Sequence, residues 1–351
     1  MNSIADEMAV ALTRTARSLG VKDARDFSIA ICDPDGEPVS SGVGLAIHLG
    51  AIPSALAAVK AHFKNEFEPG DVIFTNDPYS GGMHLPDIFV IKPLVFEGAL
   101  LGFAAVVAHM ADIGGRVPGG NAADSVSIHQ EGLRIPPIKL YRRGRLSEDW
   151  IALVRANVRQ PDMVIGDIFA EVAACTAAER EFIRLVQRYG KDALLTHMTE
   201  LIAHGERMAR TALTHFNPGS YRFIDHLDDD GLGGEPVPIK VHLEIGKEKI
   251  RVDLAGTADQ VRGAINAPLC VTRSTVAYLV ATMIPGELPT SAGISRVFEL
   301  AVPEGSIANM LFPAACAARA VTAYRVLDAL FGALAQAMPN RIPAAGDGGP
   351  S

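Results

Sequence analysis

Two apolar segments separated by a short turn constrain the fold of this chain more than any other feature of its sequence. Residues 88–95 and 100–109 are dense in Val, Ile, Leu, Phe and Ala, and Glu97 and Gly98 lie between them. Apolar runs that are joined by a few residues containing glycine are typical of a β-hairpin. The pattern therefore predicts two antiparallel strands that turn at Glu97 and Gly98.

The predicted hairpin brings histidines and carboxylates together at its open end. Its turn pairs residues whose numbers sum to about 195, so His109 lies opposite Pro86 and Asp112 opposite Met83. Directly opposed Cα atoms in antiparallel strands are roughly 4.5–5.5 Å apart, and a register slip of one or two residues would not separate these groups. The sequence thus predicts that two H-x-x-D units converge, His84 with Asp87 and His109 with Asp112.

Two imidazoles with neighbouring carboxylates are a plausible first coordination shell for one divalent ion. Zinc, manganese and iron(II) all accept mixed nitrogen and oxygen ligands. Taken singly, each histidine has an ordinary alternative as a hydrogen-bonded core residue. H-x-x-D is not a specific motif by itself, so the converged set carries the metal hypothesis.

The rest of the chain predicts an α+β fold, a strand-rich metal-bearing region followed by a helical insert and a second strand-rich region. The corresponding segments are residues 1–146, 147–219 and 220–351, the last with a final helix and a Gly-rich tail. Apolar periodicity and turn residues predict the individual elements. These are a helix over 3–19 ended by Gly20, a strand over 27–32, helices over 51–63 and 322–338, and a strand over 239–245.

Composition excludes several classes of protein. The 351 residues carry a formal net charge of −8, which argues against binding to nucleic acid, and 48% hydrophobic residues argue against general disorder. The apolar stretch 99–108 is far shorter than the roughly 20 residues that span a bilayer, and the start of the chain does not read as a signal peptide. Four scattered cysteines predict buried thiols and a cytoplasmic location.

The sequence contains no G-x-x-x-x-G-K-[ST], no G-x-G-x-x-G opening a helix, no G-x-S-x-G and no H-E-x-x-H.

The sequence does resemble the B subunit of the hydantoinase/oxoprolinase family, nearly from end to end. That family includes N-methylhydantoinase B, the corresponding half of 5-oxoprolinase and the acetone carboxylase alpha subunit. The matching strings are RDFS at 25–28, HLG at 48–50, NDPY at 76–79, HLPD at 84–87, AHMADIGG at 108–115, QEGLRIPP at 130–137, ANVR at 156–159, LDDDG at 227–231 and GAINAP at 263–268.

The resemblance implies a metal site made by two histidines and two aspartates, whose motifs map onto Asp26, His84, Asp87 and His109. Only the resemblance assigns Asp26 to the metal site. The alternative role for this residue is a carboxylate that caps a helix or a turn. Asp112 and Asp77 are expected to lie behind the ligands and to orient a histidine or a water. His48 also lies in a matching string, and we expect it to be a core or hydrogen-bonding histidine rather than a ligand.

The resemblance further implies the subunit of an enzyme that opens a cyclic amide of the hydantoin or lactam type. An unstrained amide is a poor electrophile, so a kinase-like A subunit would use ATP to phosphorylate the carbonyl oxygen. A metal-activated water would then attack, with Asp112 or Asp77 as the general base. The partners expected are therefore a hydantoinase A-like subunit in a hetero-oligomer and a small cyclic amide substrate.

Three alternatives remain open at this point. The first is the alpha-type subunit of an ATP-dependent ketone carboxylase, within the same family. The second is a non-catalytic scaffold for the A subunit, and the third, from the ligand set alone, is an iron oxygenase with two histidines and one carboxylate. The chain has Ala317, Ala318 and Arg319 where family members often have Gly-Gly-Asn, and this difference leaves the identity of the substrate open. It also stops soon after residues 346–349, so we expect a truncated form.

Overall fold

The computed structural model describes residues 1–42, 48, 50–284, 291–342 and 344–346. These residues form two compact units. The first contains residues 1–120 and 132–203, and the second contains residues 121–131 together with most of the chain from 204 onward. A short segment of the middle of the chain therefore belongs to the second unit, although the residues on both sides of it belong to the first.

One antiparallel sheet organises the first unit. In the described part of that unit its seven strands are arranged in the order β2-β1-β5-β4-β3-β6-β7. The strands are β1 (Phe27–Cys32), β2 (Pro38–Ser41), β3 (Val72–Thr75), β4 (Asp87–Phe96), β5 (Ala99–His109), β6 (Ile138–Arg142) and β7 (Arg145–Leu146).

The hairpin of β4 and β5 lies at the centre of this sheet and is buried on both faces. Successive side chains of a strand point to opposite faces, yet β4 is buried from Asp87 to Leu94 and β5 from Leu101 to Ala108. Apolar residues at consecutive positions are therefore required, and the sequence supplies them. At the turn, Glu97 and Gly98 both have positive φ, at 50° and 78°, as a two-residue hairpin turn needs.

Helices cover this sheet. They are α1 (Asn2–Thr15), α2 (Leu19–Lys22), α3 (Ala51–His62), α4 (Glu148–Asn157), α5 (Pro161–Tyr189) and the first part of α6 (Lys191–Leu213). The long helix α5 packs on α1, β4 and β5, and its buried residues include the small side chains of Ala170, Ala174 and Ala178. The thiol of Cys175 lies 3.7 Å from the carbonyl oxygen of Val90, so helix and sheet approach closely there.

The second unit contains a smaller sheet, which in its described part has the strand order β11-β10-β9-β8. The strands are β8 (Gly219–Leu227), β9 (Val237–Ile245), β10 (Ile250–Asp253) and β11 (Phe298–Ala301), and only β10 and β11 are parallel. Two helices, α7 (Leu269–Met283) and α8 (Arg319–Ala337), pack against each other, and α8 also packs on β8 and β9. Alternate residues of β9 are buried, which explains its period-2 sequence pattern.

The mixed α+β fold predicted from the sequence is confirmed, and several elements are placed within a few residues. Strand β1 has the predicted bounds, and the hairpin register differs by one residue, with Asp87 rather than Pro86 opposite His109. Helices α3 and α8 lie within a few residues of the predicted bounds. The division of the chain at residues 146 and 219 stays a prediction.

One predicted element has a different end, and one helix was not predicted. The first helix ends at Thr15 rather than at Gly20, because Ala16 is extended and the N–H groups of Arg17 and Ser18 donate to the buried carboxylate of Asp167, at 2.6 and 3.1 Å. Within the region predicted to be strand-rich, α7 is a helix despite its β-branched residues. Most of its side chains are buried on all sides, so tertiary packing outweighs local propensity there.

Removing the Asp167 carboxylate tests this account of where α1 ends. Asp167→Ala leaves two N–H groups without their acceptor, one of them fully buried, and should lower the free energy of unfolding by about 1–3 kcal/mol. Asp167→Asn keeps an acceptor oxygen and should retain most of the stability. Urea denaturation is the measurement, with Asp162→Ala as an exposed control that should change little. Equal stabilities of the Ala and wild-type chains would contradict the account.

No helix in the described ranges is long and apolar enough to cross a bilayer. All four cysteines lie within those ranges and are buried as thiols rather than disulfides, as predicted.

Candidate metal centre

The central hairpin places three of the predicted ligands together. Asp87 is the first residue of β4, His109 is the last residue of β5, and the two are direct partners in the ladder. His84 lies in the preceding turn, where its carbonyl accepts from the Asp87 N–H at 3.1 Å. The Met110 N–H donates to the Pro86 carbonyl at 2.8 Å, which extends the ladder beyond the strands and holds the two segments side by side.

Three atoms of these side chains form a nearly equilateral triangle. The Asp87 Oδ1 atom lies 3.0 Å from His84 Nε2 and 3.0 Å from His109 Nδ1, and the two nitrogens are 3.1 Å apart. Within the described ranges this is the group of His, Cys, Asp and Glu side chains arranged as for a metal ion. His84 and Asp87 are buried, whereas a quarter of the His109 side chain is exposed, so the triangle is reached from the His109 side.

Hydrogen bonds alone do not satisfy this triangle. In a neutral imidazole, each ring nitrogen either donates or accepts, so at most two of the three close pairs can be hydrogen bonds. The remaining pair would oppose two donors or two acceptors at about 3 Å. A cation resolves the conflict, since all three atoms can then present lone pairs to one point.

The distances between these atoms are those expected of ligands that share one ion. Two atoms that bind the same ion with bonds of about 2.1 Å lie roughly 3.0–3.4 Å apart. The observed separations of 3.0–3.1 Å lie in this range. The residues present therefore fit one divalent ion.

Asp26 lies beside this triangle. It precedes Phe27, which pairs with Ala108, and its carbonyl accepts from the His109 N–H at 3.0 Å. Cross-strand neighbours share a face, so Asp26 and Asp87 flank His109 on the same side of the sheet. The mutually close ligand atoms belong to His84, Asp87 and His109, and the ligand role of Asp26 stays a prediction.

The two predicted catalytic carboxylates organise loops. Asp77 caps the short 3₁₀ helix Pro78–Ser80 through the Tyr79 N–H at 3.0 Å. Asp112 accepts from the N–H and guanidinium groups of Arg159, at 2.7 and 2.9 Å, and from the N–H of Gly114. Burial alone would raise the pKa of Asp112, but these donors outweigh it and hold that pKa below its ordinary value. The general-base role of either residue stays a prediction.

His48, for which a hydrogen-bonding role is expected, is buried, and its Nδ1 atom lies 2.8 Å from Ser28 Oγ. Its assignment as a core histidine is therefore consistent with the contacts that it makes.

The sequence reasoning assigned no role to Asn76, although it lies in a matching string. Its side chain is buried and contacts two backbone segments: Nδ2 donates to the carbonyls of Leu85 and Leu133 at 2.6 and 2.9 Å, and Oδ1 accepts from the Ile135 N–H at 2.7 Å. One of these segments directly follows His84. An asparagine just after a strand was visible in the sequence, but its partners were not.

A second residue that the sequence reasoning missed is Glu171 on α5. Its carboxyl is fully buried, and neither oxygen has a hydrogen-bond partner within the described ranges. Burial raises the pKa of Glu171 well above its ordinary value, and the charges of Asp167 and Asp87 raise it further. A neutral acid thus lies within electrostatic range of the Asp87 ligand, at a position that the apolar periodicity of the helix assigns to the core.

Comparison with known proteins shows the family of the chain. The sequence profile of the family described as Hydantoinase B/oxoprolinase matches residues 1–351. The chain belongs to the Hydantoinase B/oxoprolinase family. Caprolactamase subunit beta of Pseudomonas jessenii is a relative of this Hydantoinase B/oxoprolinase chain, at 34% identity over 342 residues that make up 96% of this chain and 58% of the relative.

Solved structures share the fold. The ATP-dependent caprolactamase from Pseudomonas jessenii aligns with a TM-score of 0.91 at 33% identity, over 97% of this chain and 59% of the other. Acetone carboxylase in its nucleotide-free form aligns with a TM-score of 0.88 at 20% identity, over 96% of this chain and 46% of the other, and shows the fold alone. This Hydantoinase B/oxoprolinase chain spans about three fifths of the length of three curated relatives.

Proposed function

We propose that this chain is the metal-binding part of a B-type subunit of an ATP-dependent enzyme that opens a cyclic amide. Family membership and the caprolactamase relative support the reaction class. The observation that carries the proposal is the triangle of His84, Asp87 and His109, with its three edges of 3.0–3.1 Å. Zinc, manganese and iron(II) all accept this mixed set of nitrogen and oxygen ligands.

The residues around this centre have different roles. His84, Asp87 and His109 would hold the ion, and a substrate would reach it from the side where His109 is exposed. A divalent ion bound there supplies Lewis acidity, which polarises a carbonyl oxygen or lowers the pKa of a water. Asp77 and Asp112 keep the surrounding loops in place through the contacts described above.

The ATP-using step is assigned to a partner subunit. The relative with a solved structure is named as ATP-dependent, whereas this sequence has no G-x-x-x-x-G-K-[ST]. We propose a hydantoinase A-like partner that activates the amide carbonyl, after which the ring is opened at the centre in this chain. The substrate class is a lactam or hydantoin.

Reconstitution with the partner tests this proposal. The chain, co-expressed with a hydantoinase A-like subunit from the same organism, should copurify with a stoichiometric divalent ion and open caprolactam, 5-oxoproline or a hydantoin only when ATP is present. Acetone with bicarbonate forms the second arm of the assay. Carboxylation of acetone without ring opening would favour a ketone carboxylase, and a metal-loaded complex that turns over neither class would favour a scaffold. Either result overturns the proposal.

A further inference from the structure

Arg159, at the junction between α4 and α5, binds the loop that follows the His109 ligand. Its Nη1 atom donates to Asp112 Oδ1 at 2.9 Å and to the carbonyls of Gly114 and Val117 at 3.1 and 3.3 Å. Its Nη2 atom donates to the Gly115 carbonyl at 2.6 Å, and its backbone N–H donates to Asp112 Oδ2 at 2.7 Å. One side chain thus fixes the course of the chain from residue 112 to residue 117.

The loop over residues 112–117 packs closely against the junction between α4 and α5. Gly114 has a φ of 82°, and a Cβ atom at that position would overlap the carbonyl oxygen of Asn157. The Asp112 carboxylate also accepts from the N–H groups of Gly114 and Gly119, at 3.2 and 3.1 Å. A lysine would replace only part of this arrangement, because its single ammonium lacks the planar fork that reaches several carbonyls at once.

Hydrogen bonds continue from this loop to the other histidine. The Ile113 carbonyl accepts from the Leu133 N–H at 2.9 Å, and the Leu133 carbonyl accepts from Asn76 Nδ2 at 2.9 Å. Asn76 Nδ2 also donates to the carbonyl of Leu85, the residue next to His84, at 2.6 Å. A continuous path of backbone and side-chain hydrogen bonds therefore joins Arg159 to both ends of the ligand hairpin, entirely within the first unit.

We propose that Arg159 and Asn76 are positioning residues of the metal centre, which together set the spacing between His84 and His109. Asn76 holds the segment before β4, Arg159 holds the segment after β5, and residue 133 connects the two. Neither side chain belongs to the group of ligand atoms, so each acts through the backbone of the ligands. The inference rests on the proposed function in taking these histidines as metal ligands.

A cobalt(II) titration of the full chain tests this role without requiring turnover. Arg159→Gln should weaken Co²⁺ binding about tenfold and alter the visible d–d bands, as expected when the groups that orient ligands are lost. Arg159→Lys keeps one charged contact with Asp112 and should give an intermediate effect. Arg155→Gln, four residues away in an exposed pair with Asp162, is the matched control and should bind within about twofold of wild type.

Two outcomes distinguish positioning from simple stabilisation. A purely structural clamp would lower the thermal midpoint of Arg159→Gln but leave its Co²⁺ affinity and spectrum as in wild type, and that result overturns the proposal. Asn76→Ser supplies a second variant with the same expectation, should Arg159→Gln fail to fold. A normal Co²⁺ spectrum in both folded variants would likewise contradict it.

Amide hydrogen exchange separates failure of this inference from failure of the proposed function. In the metal-free chain, Arg159→Gln should raise exchange about tenfold at residues 84–87 and 109–114, whereas Arg155→Gln should leave these amides unchanged. If the wild-type chain binds no Co²⁺, the proposed metal function fails, and the exchange pattern alone decides whether Arg159 holds both segments. Unchanged exchange there overturns the inference.

Discussion

His109→Ala is expected to abolish tight binding of a divalent ion while the chain remains folded. His109 Nδ1 forms two edges of the ligand triangle, and its loss leaves two donors from the segment around β4. Affinity should fall by at least about 100-fold, more than for loss of a group that only orients a ligand. The side chain lies at the end of β5 and is a quarter exposed, so the free energy of unfolding of the metal-free chain should change by about 1 kcal/mol or less.

Metal content after purification and equilibrium dialysis with Mn²⁺ measure the affinity, and circular dichroism measures the thermal midpoint. His242→Ala is a matched control: that side chain is 26% exposed, lies on β9 and has Ser220 Oγ at 2.7 Å. It should keep wild-type metal content. A His109→Ala chain that retains the ion at full stoichiometry would show that the triangle is an ordinary hydrogen-bonded cluster and not the site.

The core of the candidate site was predictable because it depends on local geometry. The turn at Glu97 and Gly98 sets the register of β4 and β5 next to the turn, and an irregularity between Leu94 and Val95 then shifts it by one residue, so that Asp87 lies opposite His109. The prediction missed this irregularity and differed by one residue, which is too little to separate the histidines from the carboxylate. Strand β1 was equally accessible, since six consecutive buried residues between turn residues have few alternatives.

The groups that orient the site were not predictable, because their partners are distant in sequence. Arg159 contacts a loop more than 40 residues earlier, and Asn76 contacts Leu133 from 57 residues away. Contacts between residues so far apart leave no periodic pattern in the sequence. Asn76 and Arg159 both lie in strings that match the family, but the match does not say what these side chains do. Their hydrogen bonds to backbone carbonyls give each of them a structural role.

The same distinction explains the end of α1 and the helical conformation of α7. The end of α1 depends on a carboxylate 150 residues away in α5, which binds the Arg17 N–H. Helix α7 is rich in β-branched residues, which favour strands, but most of its side chains are buried. Local propensity is a weak guide where the whole surface of an element is buried.

Glu131, in the second unit, is a buried carboxylate that should make the stability of this unit depend on pH. It is 1% exposed, and its Oε1 atom accepts from the N–H groups of Cys316 and Ala317, at 2.8 and 2.9 Å, just before α8. Burial raises the pKa of Glu131 from 4.5 to about 7, against the lowering effects of these two N–H groups, the Cys316 thiol and the charge of Arg319. The folded chain thus holds a proton there that the unfolded chain releases.

Glu131→Gln should remove a loss of stability that the wild-type chain suffers as the pH rises. Below the unfolded pKa of 4.5 the carboxyl is protonated in both states, and above about 7 it is ionised in both. Between these values the unfolded state binds fewer protons, so the free energy of unfolding falls by about 3 kcal/mol in total. Glutamine keeps the oxygen that accepts from Cys316 and Ala317 but does not titrate, so the variant should be the more stable chain at about pH 8.

Urea denaturation at about pH 5 and about pH 8 measures this difference, followed by a probe in the second unit so that its transition is observed separately. Glu235→Gln, in an exposed loop of the same unit, is the control and should follow the wild-type pH dependence. The sign is the decisive point, since a carboxylate that stabilised the fold as an anion would make Glu131→Gln less stable at high pH. A variant that loses stability between these two pH values as steeply as wild type would show that the buried carboxyl is ionised through the whole range, held by the N–H groups ahead of α8 and by Arg319.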